Sequence, residues 1–455
     1  MEHQIAWYKS QDLVKREVDP SIVIDKRYVV PMTVPAVASH QLDTKDPSTM
    51  LPMSERPILI AGGGPVGAIA ALALARQGLP VHVFEAESQV NDTPRAATTH
   101  AATLEMLEDL GLAEEVVRGG LIEPLFRIWD RSTRKLVAEF DFGNLKNDTR
   151  YPYAVQYEQH KLANLAIKRL RELPHATVEF SARVTSVSQS TDAVEITLET
   201  AAGPRTVKGA YLIGADGGRS TVRKSLGIDF EGYTHPERFL MLTTRFDIGT
   251  KFPGCTRNYF ADPQAWFAPF KVAGDDGKGL WRVTSATGLD QAEVDLFDDE
   301  AVERRLQGFI PKDGRYEIVY RNLYNVHQRV AVRFRQRRVF LAGDAAHINN
   351  PLGGLGLNFG IHDAIELTSL LGRVIRGEAA ADILDSYDRY RRPLNIEFVQ
   401  QQTIANKKRM EEKDPAVRAR NFEQLAATAA DPAAHRAYLL RASLIDSVRK
   451  RAAVI

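Results

Sequence analysis

Apolar residues along the chain fall into segments with two different periods. Ile58–Ala61 (ILIA) is a short unbroken apolar run, the pattern of a strand buried on both faces. A glycine-rich turn follows, and the Ala/Leu-rich stretch after it predicts a helix over Val66–Gln77 that Gly78 closes as a C-cap. Val81–Glu85 (VHVFE) reads as a second strand, which completes a βαβ opening. Thr103–Leu112 and Gln159–Leu173 carry helical spacing. Thr177–Thr200 alternates apolar and polar positions and predicts strands of an antiparallel layer. Tyr211–Ala215 is another buried strand, ending in a polar turn.

Residues 231–330 differ in character. Short β-like runs separated by Gly/Asp turns carry many aromatic residues, among them Tyr233, Phe239, Tyr259, Trp266 and Trp281. This predicts a second, largely antiparallel unit. The chain then returns through RRVFLAGD to a long helix expected over Gly356–Arg376, and the tail from Asp385 reads as helices broken near Pro393, Pro415 and Pro432. The prolines and weak periodicity of residues 1–56 predict an extended arm or linker.

A length of 455 residues fits two to three domain-sized units. Formal net charge is +1, so no global field recruits nucleic acid or an anionic membrane. Cys255 is the single cysteine, which excludes an intramolecular disulfide and fits a reducing cytoplasm. No apolar run reaches the ~20 residues that span a bilayer. The arginines of Arg333–Arg338 are expected to be solvated. No Cys/His pattern suits a metal, and none is expected.

Three stretches carry candidate chemistry. In the first, Gly62-x-Gly64-x-x-Gly67 follows a strand and opens a helix. The first glycine permits a tight turn, the second lets backbone approach a pyrophosphate, and the third lets helix and strand pack closely. The helix N-terminus supplies free N–H groups for phosphate. Glu85 ends the second strand, near where an acidic residue binds ribose hydroxyls. This motif alone does not separate FAD from NAD(P). Arg95, in PRAATTH, is either a cation for the far side of the pyrophosphate or a surface arginine, and Gln159 opens a helix. The second stretch places Asp216-Gly217 after a buried strand, followed by Arg219 and Arg223. The third places Gly343-Asp344 after another, then a glycine-rich loop and a helix. Asp344 could bind ribityl hydroxyls, with the helix opening near Gly356 aimed at the flavin edge where negative charge develops on reduction.

In this order the stretches resemble the single-component FAD-dependent aromatic hydroxylases, the family of p-hydroxybenzoate hydroxylase and phenol hydroxylase. The resemblance covers Ile58 to about Pro393 and includes Leu384–Pro393, LDSYDRYRRP. The implied fold is mixed α/β and α+β: a Rossmann-like FAD-binding domain, a second, largely antiparallel β-sheet substrate domain, and a helical C-terminal tail. The implied division is an arm over 1–56, an FAD-binding domain in segments 57–126, 151–230 and 330–395, a substrate domain in segments 127–150 and 231–329, and a tail over 396–455. Carried over by residue, Gly62, Gly64, Pro65, Val66 and Gly67 hold the FAD pyrophosphate and Glu85 the adenosine ribose. Arg95, Gln159 and Val184 flank the cofactor. Asp216 touches FAD and the nicotinamide donor. Asp344, Gly354, Gly356, Leu357 and Asn358 meet the ribityl chain and isoalloxazine. Pro351 places a carbonyl near the reacting ring, and Tyr259 and Trp266 belong to the substrate pocket. Many members have Pro-Pro where this chain has Asn350-Pro351.

The implied activity is hydroxylation of an electron-rich aromatic (a phenol, or a hydroxy- or amino-aromatic acid) with NADH or NADPH and O2, through a flavin C4a-hydroperoxide. The flavin carries the chemistry, so no protein group is assigned as catalytic. Tyr259, His327 and His347 are the candidates to deprotonate substrate. A homodimer is expected by analogy. Two alternatives stay open on sequence alone: a related flavin oxidoreductase such as an epoxidase or reductase, and a non-catalytic escort-type protein on the same scaffold. A flavin halogenase is excluded, because Trp129, Trp266 and Trp281 lie in no Trp-x-Trp-x-x-Pro stretch.

Overall fold

The computed structural model describes residues 56–453; the arm expected over residues 1–56 lies, but for Arg56, outside them. Ile58–Ala61 is fully buried and pairs in parallel with Val81–Phe84 on one side and Leu212–Gly214 on the other. These strands are the middle of a six-stranded sheet in the order Arg335–Gln336, Val339–Leu341, Leu212–Gly214, Ile58–Ala61, Val81–Phe84, Ala176–Glu179. Only the Arg335–Gln336 edge is antiparallel. Unbroken apolar strands need cover on both faces. The helix Pro65–Ala75, buried from Gly67 to Ala75, packs on the helices Gln159–Arg171 and Leu355–Ile375.

One expectation is corrected here. The alternation over Thr177–Thr200 was read as a single antiparallel layer, yet Ala176–Glu179 joins the parallel sheet beside Val81–Phe84. The antiparallel layer is a separate three-stranded sheet of Arg183–Gln189, Val194–Thr200 and Gly203–Gly209. A period of two reports which side chains share a face and carries nothing about strand direction.

The aromatic-rich segment builds an eight-stranded sheet in the order His347–Ile348, Ile318–Ala331, Phe230–Thr244, Leu280–Ala286, Phe267–Val272, Asn258–Ala261, Leu125–Asp130, Lys135–Asp141. It is antiparallel except where Asn258–Ala261 runs parallel to Leu125–Asp130. Successive residues alternate between its faces. Leu240, Leu242, Phe260 and Trp281 pack with Val302, Leu306 and Phe309 of the helix Asp299–Phe309. Phe239, Tyr259, Ala261 and Tyr324 lie on the other side with Trp266, Leu352 and Met410. A small sheet of Thr98–Thr99, Ala154–Gln156 and Leu121–Glu123 lies beside the Gly353–Gly354 loop.

The tail is helical over Asp385–Asn395, Gln401–Met410, Pro415–Ala430, Pro432–Ala442 and Ile445–Ala452. Pro415 and Pro432 each occupy a first helical turn behind an aspartate cap, where a missing N–H costs nothing. Pro393 was expected to break the helix and does not: the chain continues through a π-helical turn, Ile396–Gln400.

Candidate functional site

The glycine turn after Ile58–Ala61 has three positions with three different reasons to be glycine. Gly62 has φ +104°, and a Cβ there would lie 2.4 Å from the Ala215 carbonyl oxygen. A Cβ on Gly67 would lie 2.0 Å from the Gly62 carbonyl oxygen. Both are fixed by the protein's own backbone. Gly64 is not: its φ and ψ of −67° and 179° suit any residue, and no protein atom lies within 4 Å of where its Cβ would be. It also starts the helix Pro65–Ala75 with no side-chain cap, at a position where Ser, Asp or Asn would be more stable. An uncapped helix end behind open space is the donor set and the clearance that a pyrophosphate requires. The residues present therefore fit a dinucleotide cofactor.

The Asp216 and Asp344 turns adjoin this opening. A Cβ on Gly62 would also come within 3.1 Å of the Asp216 Cα. Val66, at the start of the helix, is wedged so closely that a Cβ on Gly343 would meet it at 2.9 Å and one on Gly360 at 2.8 Å. Arg223 joins the two turns, donating from Nη1 to the Ala345 carbonyl at 2.9 Å and from Nη2 to the Gly218 carbonyl at 2.9 Å, with its guanidinium 3.8 Å from the centre of the Phe230 ring. Asp216 accepts from Ser220 Oγ at 2.5 Å and from the Val222 N–H at 3.0 Å, and burial raises its pKa. Asp344 retains exposed surface, yet burial raises its pKa as well, with His347 and Arg95 opposing. An accessible carboxyl that is nonetheless surrounded by protein marks the wall of a deep cleft.

Behind Asp344 is a buried anchor. Asp363 accepts from the Gly343 N–H at 3.1 Å, from Arg391 Nε at 2.8 Å, and faces His347 Nε2 at 2.6 Å. Burial raises the Asp363 pKa, but Arg391 and His347 outweigh it and hold the carboxyl below the usual range. Arg391 also lies 3.8 Å over the Phe359 ring, and Tyr387 donates to the Leu341 carbonyl at 2.7 Å. The LDSYDRYRRP helix thus clamps the strand and the helix between which the Asp344 turn is held.

The other expected residues are placed as follows. Glu85 accepts from the Gly63 N–H at 2.6 Å and the Glu87 N–H at 3.0 Å, so its carboxylate braces the glycine turn. Arg95 is exposed, its carbonyl taken by Arg282 Nη1 at 2.9 Å, and the Gln159 N–H donates to the neighbouring Ala96 carbonyl at 3.0 Å. Val184 is a buried strand residue opposite Leu198. Gly354, with φ +68°, starts the helix Leu355–Ile375, and Gly356 and Leu357 lie in its first turn. Asn358 is fully buried with its amide already used: Oδ1 accepts from the His100 N–H at 2.8 Å, and Nδ2 donates to the carbonyls of Thr98 at 2.8 Å and Gly354 at 2.6 Å. Its side chain locks the loop, which leaves only backbone to meet a cofactor. Pro351 is exposed. The departure at Asn350 has a structural reason. Its N–H and Nδ2 both donate to Gln328 Oε1 at 3.1 Å, while Gln328 Nε2 reaches Gln400 Oε1 at 2.6 Å in the π-helical turn. Proline could not join this amide ladder.

Of the groups considered for substrate deprotonation, His347 is committed to Asp363, and His327 pairs with Thr234 Oγ1 at 2.9 Å, near Arg219 and Arg329. Tyr259 lies beside the glycine-rich loop, its oxygen facing the Gly353 backbone N–H. Trp266 packs edge-on against Phe239 at 4.9 Å. Cys255 is buried, and its thiol is pushed up to about 11. Arg333, Arg335 and Arg337 border a surface groove of about 660 Å³, and Arg335 pairs with Asp385 at 2.7 Å.

Sequence reading missed a buried group beside Tyr259. His100 faces the Gly353 carbonyl through Nε2 at 2.9 Å, and burial, with Arg257 adding, pushes its pKa down to about 3. Glu123 is fully buried, accepts from Gln156 Nε2 at 2.9 Å and Thr256 Oγ1 at 3.0 Å, and is shifted upward by burial. Arg257 is 5% exposed, 3.6 Å from Glu123 Oε2, and 4.7 Å over the Phe126 ring. These residues come from separate segments, and nothing local in the sequence marks them.

Three turns that adjoin one another around an uncapped helix end, beside an aromatic-rich sheet, fit the class of flavoproteins that oxidise a ring. The chain belongs to the FAD binding domain family, which matches residues 55–402, and is one of its aromatic-ring monooxygenases. It is 36% identical over 386 residues to para-nitrophenol 4-monooxygenase of Pseudomonas sp. (strain WBC-3), covering 84% of this chain and 94% of that protein. It is 36% identical over 363 residues to 6-hydroxy-3-succinoylpyridine 3-monooxygenase of Pseudomonas putida (strain DSM 28022 / S16), covering 79% and 90%. A crystal structure of p-nitrophenol 4-monooxygenase from Pseudomonas putida DLL-E4 matches with a TM-score of 0.80 at 33% identity, covering 85% of this chain and 98% of that one. A ternary complex of aklavinone-11 hydroxylase with FAD and aklavinone matches with a TM-score of 0.71 at 27% identity, covering 79% and 70%. The protein is an FAD-dependent, NAD(P)H- and O2-using monooxygenase of a small aromatic substrate, as the resemblance implied.

Proposed function

We propose that the uncapped N-terminus at Gly64–Gly67 holds the FAD pyrophosphate, that Glu85 and Val184 lie on the adenosine side, and that Asp344 takes the ribityl hydroxyls. The backbone of Gly354–Asn358 then faces the flavin ring. The observation that carries this reading is the mutual contact of the three turns: Gly62 against Ala215 and Asp216, and Val66 against Gly343. FAD held there would supply the redox chemistry, with NAD(P)H as the electron source and O2 as the source of the oxygen delivered to the ring.

The protein's own contribution is position, dryness and charge. Phe239, Trp266, Leu352 and Met410 form a buried apolar cluster beside the Gly353–Gly354 loop, which would wall the substrate chamber and exclude water from the reacting ring. Tyr259 and Tyr324 keep partly exposed surface while burial raises both pKa values, so both line this chamber as protonated phenols at neutral pH. His100 stays neutral, which avoids a competing cation at the loop. A chamber of this kind suits a single substituted ring made electron-rich by a hydroxyl or amino group. With a lone buried thiol, the protein is assigned to the cytoplasm.

A panel of hydroxylated, aminated and nitro-substituted aromatics tests the reading. Each compound is scored by stimulated NAD(P)H oxidation together with product mass. A product heavier by one oxygen is expected for at least one phenol. NAD(P)H consumption that yields only hydrogen peroxide across the whole panel would refute the substrate class.

A further inference from the structure

The groove bordered by Arg333, Arg335 and Arg337 has a volume of about 660 Å³, the size of a small-molecule site. The arginines around it differ in what they already hold. Arg338, at its edge, is structural: it donates from Nε to the Thr191 carbonyl at 2.8 Å and from Nη1 to the Ala210 carbonyl at 3.1 Å, and lies 5.1 Å over the Tyr211 ring. Arg335 donates to Asp385 at 2.7 Å. Arg333 and Arg337 are exposed, line the groove, and make no side-chain hydrogen bond or ion pair with the described residues. Arg333 acts at longer range on Asp388, whose oxygen is taken by the Phe334 N–H at 2.8 Å.

The backbone presents Arg337 at a cost. Arg337 and Arg338 are the two-residue turn between Arg335–Gln336 and Val339–Leu341, and Arg337 takes φ +53°. Glycine, asparagine or aspartate suits that position, and an arginine there is strained. The rest of the lining is rich in donors. Ser188, Ser225 and Gln336 have side chains that bond no other described residue. Gln189 accepts from the Arg338 N–H at 3.1 Å, which leaves its amide hydrogens to donate. Only Val187 and Leu226 are apolar, and no aromatic residue is among the described lining. Such a wall has nothing on which an aromatic ring could stack. Two open guanidinium forks among neutral donors match the oxygens of a phosphate, which guanidinium binds in bidentate fashion.

The groove and the cofactor turns lie at opposite ends of the same strands. The Leu212 N–H donates to the Arg338 carbonyl at 3.0 Å where Leu212–Gly214 and Val339–Leu341 begin, whereas Asp216 and Asp344 follow where they end. Each strand is three residues long, roughly 10 Å. We propose that this groove is a second small-molecule site, which takes a compact phosphorylated metabolite through Arg333 and Arg337. The phosphate oxygens accept from both guanidinium groups, and the serine and glutamine side chains donate to the oxygens that remain. The ligand binds alongside FAD, and no bond is made or broken there. This site is independent of the aromatic-substrate reading above.

The test uses the FAD-loaded enzyme and inorganic pyrophosphate as the probe, by titration calorimetry at about 150 mM salt, where exposed charges are well screened. Wild type should bind with a dissociation constant of about 1 mM or tighter. Arg337→Gln should weaken binding about 10-fold, and Arg333→Gln together with it about 100-fold. Arg337→Lys keeps the charge without the fork and should retain part of the affinity. Arg337→Gly removes the guanidinium and relieves the turn, so it should fold at least as well as wild type and still bind weakly. FAD content and basal NAD(P)H oxidation should match wild type in every variant. Wild-type affinity in the double variant overturns the proposal, as does a wild-type enzyme that binds no pyrophosphate. Equal binding of citrate overturns it too, since the arginines would then be an unselective anion patch. So does binding of heparin without pyrophosphate, which would make the groove a face for a large polyanion. A raised KM for NADPH in the variants would give the arginines to the nicotinamide donor and likewise overturn it.

Discussion

Gly64→Asp should make the flavin-free protein more stable and at the same time unable to hold FAD. Gly64 has backbone angles open to any residue, has no protein neighbour within 4 Å of a Cβ, and begins its helix without a side-chain cap. Aspartate is among the best N-caps and gains a few tenths of a kcal/mol over glycine there. A negative charge at a helix N-terminus adds roughly 0.3–1 kcal/mol. Glu85, bonded to the Gly63 N–H, repels that charge and keeps the gain toward the lower end. The sum is about 0.5–1 kcal/mol in favour of the variant. The same carboxylate would occupy the space and the N–H groups assigned to the pyrophosphate. Like charges forced together cost several kcal/mol, and roughly 3 kcal/mol weakens FAD binding more than about 100-fold. Thermal melts of the flavin-stripped proteins and FAD titration by flavin fluorescence read the two effects separately. Gly67→Ala is the control: its Cβ would lie 2.0 Å from the Gly62 carbonyl, so it should destabilise the protein with or without FAD. Wild-type FAD affinity in a stabilised Gly64→Asp would refute the placement of the pyrophosphate.

Other outcomes follow from single side chains. Asp344→Asn should purify largely free of flavin yet melt higher than flavin-stripped wild type at neutral pH. Because burial raises the Asp344 pKa, its penalty is present above the folded value and absent below the ordinary carboxylate pKa of about 4, so the difference should vanish in acid. Asp363→Asn should cost about 3–5 kcal/mol at neutral pH by stranding buried Arg391. The Asp363 pKa is lowered, so its contribution is complete above about pH 4 and is lost as pH falls through the folded value, and acid melts should bring variant and wild type together. Asn350→Pro should cost about 1–3 kcal/mol in thermal melts by leaving Gln328 Oε1 without its donors.

The glycine turn and the two strand–aspartate turns were legible because each is a local signal: an apolar run, a glycine at fixed spacing, a carboxylate at a strand end. The helices around them were legible for the same reason, to within a residue or two at Leu355–Ile375. What local reading could not supply was pairing. Ala176–Glu179 alternates like an antiparallel strand and yet joins the parallel sheet, since only long-range partners decide direction. Pro393 matches the local rule for a helix breaker, yet the helix contains it and runs on into a π-helical turn. Asn350 was visible as a departure, but its meaning needed Gln328 and Gln400, which are far away in sequence. Arg257 was invisible, because a single arginine among aromatic residues reveals nothing until Glu123 and His100 are brought beside it.

The bare helix end at Gly64 has a consequence for the life of the protein in a cell. Where FAD completes its donors, as proposed, uptake of that ligand is also a folding event. At a hundredfold excess over its dissociation constant, such a ligand adds about 2.7 kcal/mol of stability. Chains made during riboflavin shortage would spend more time open to proteases, and the amount of enzyme, as well as its turnover, would follow vitamin supply.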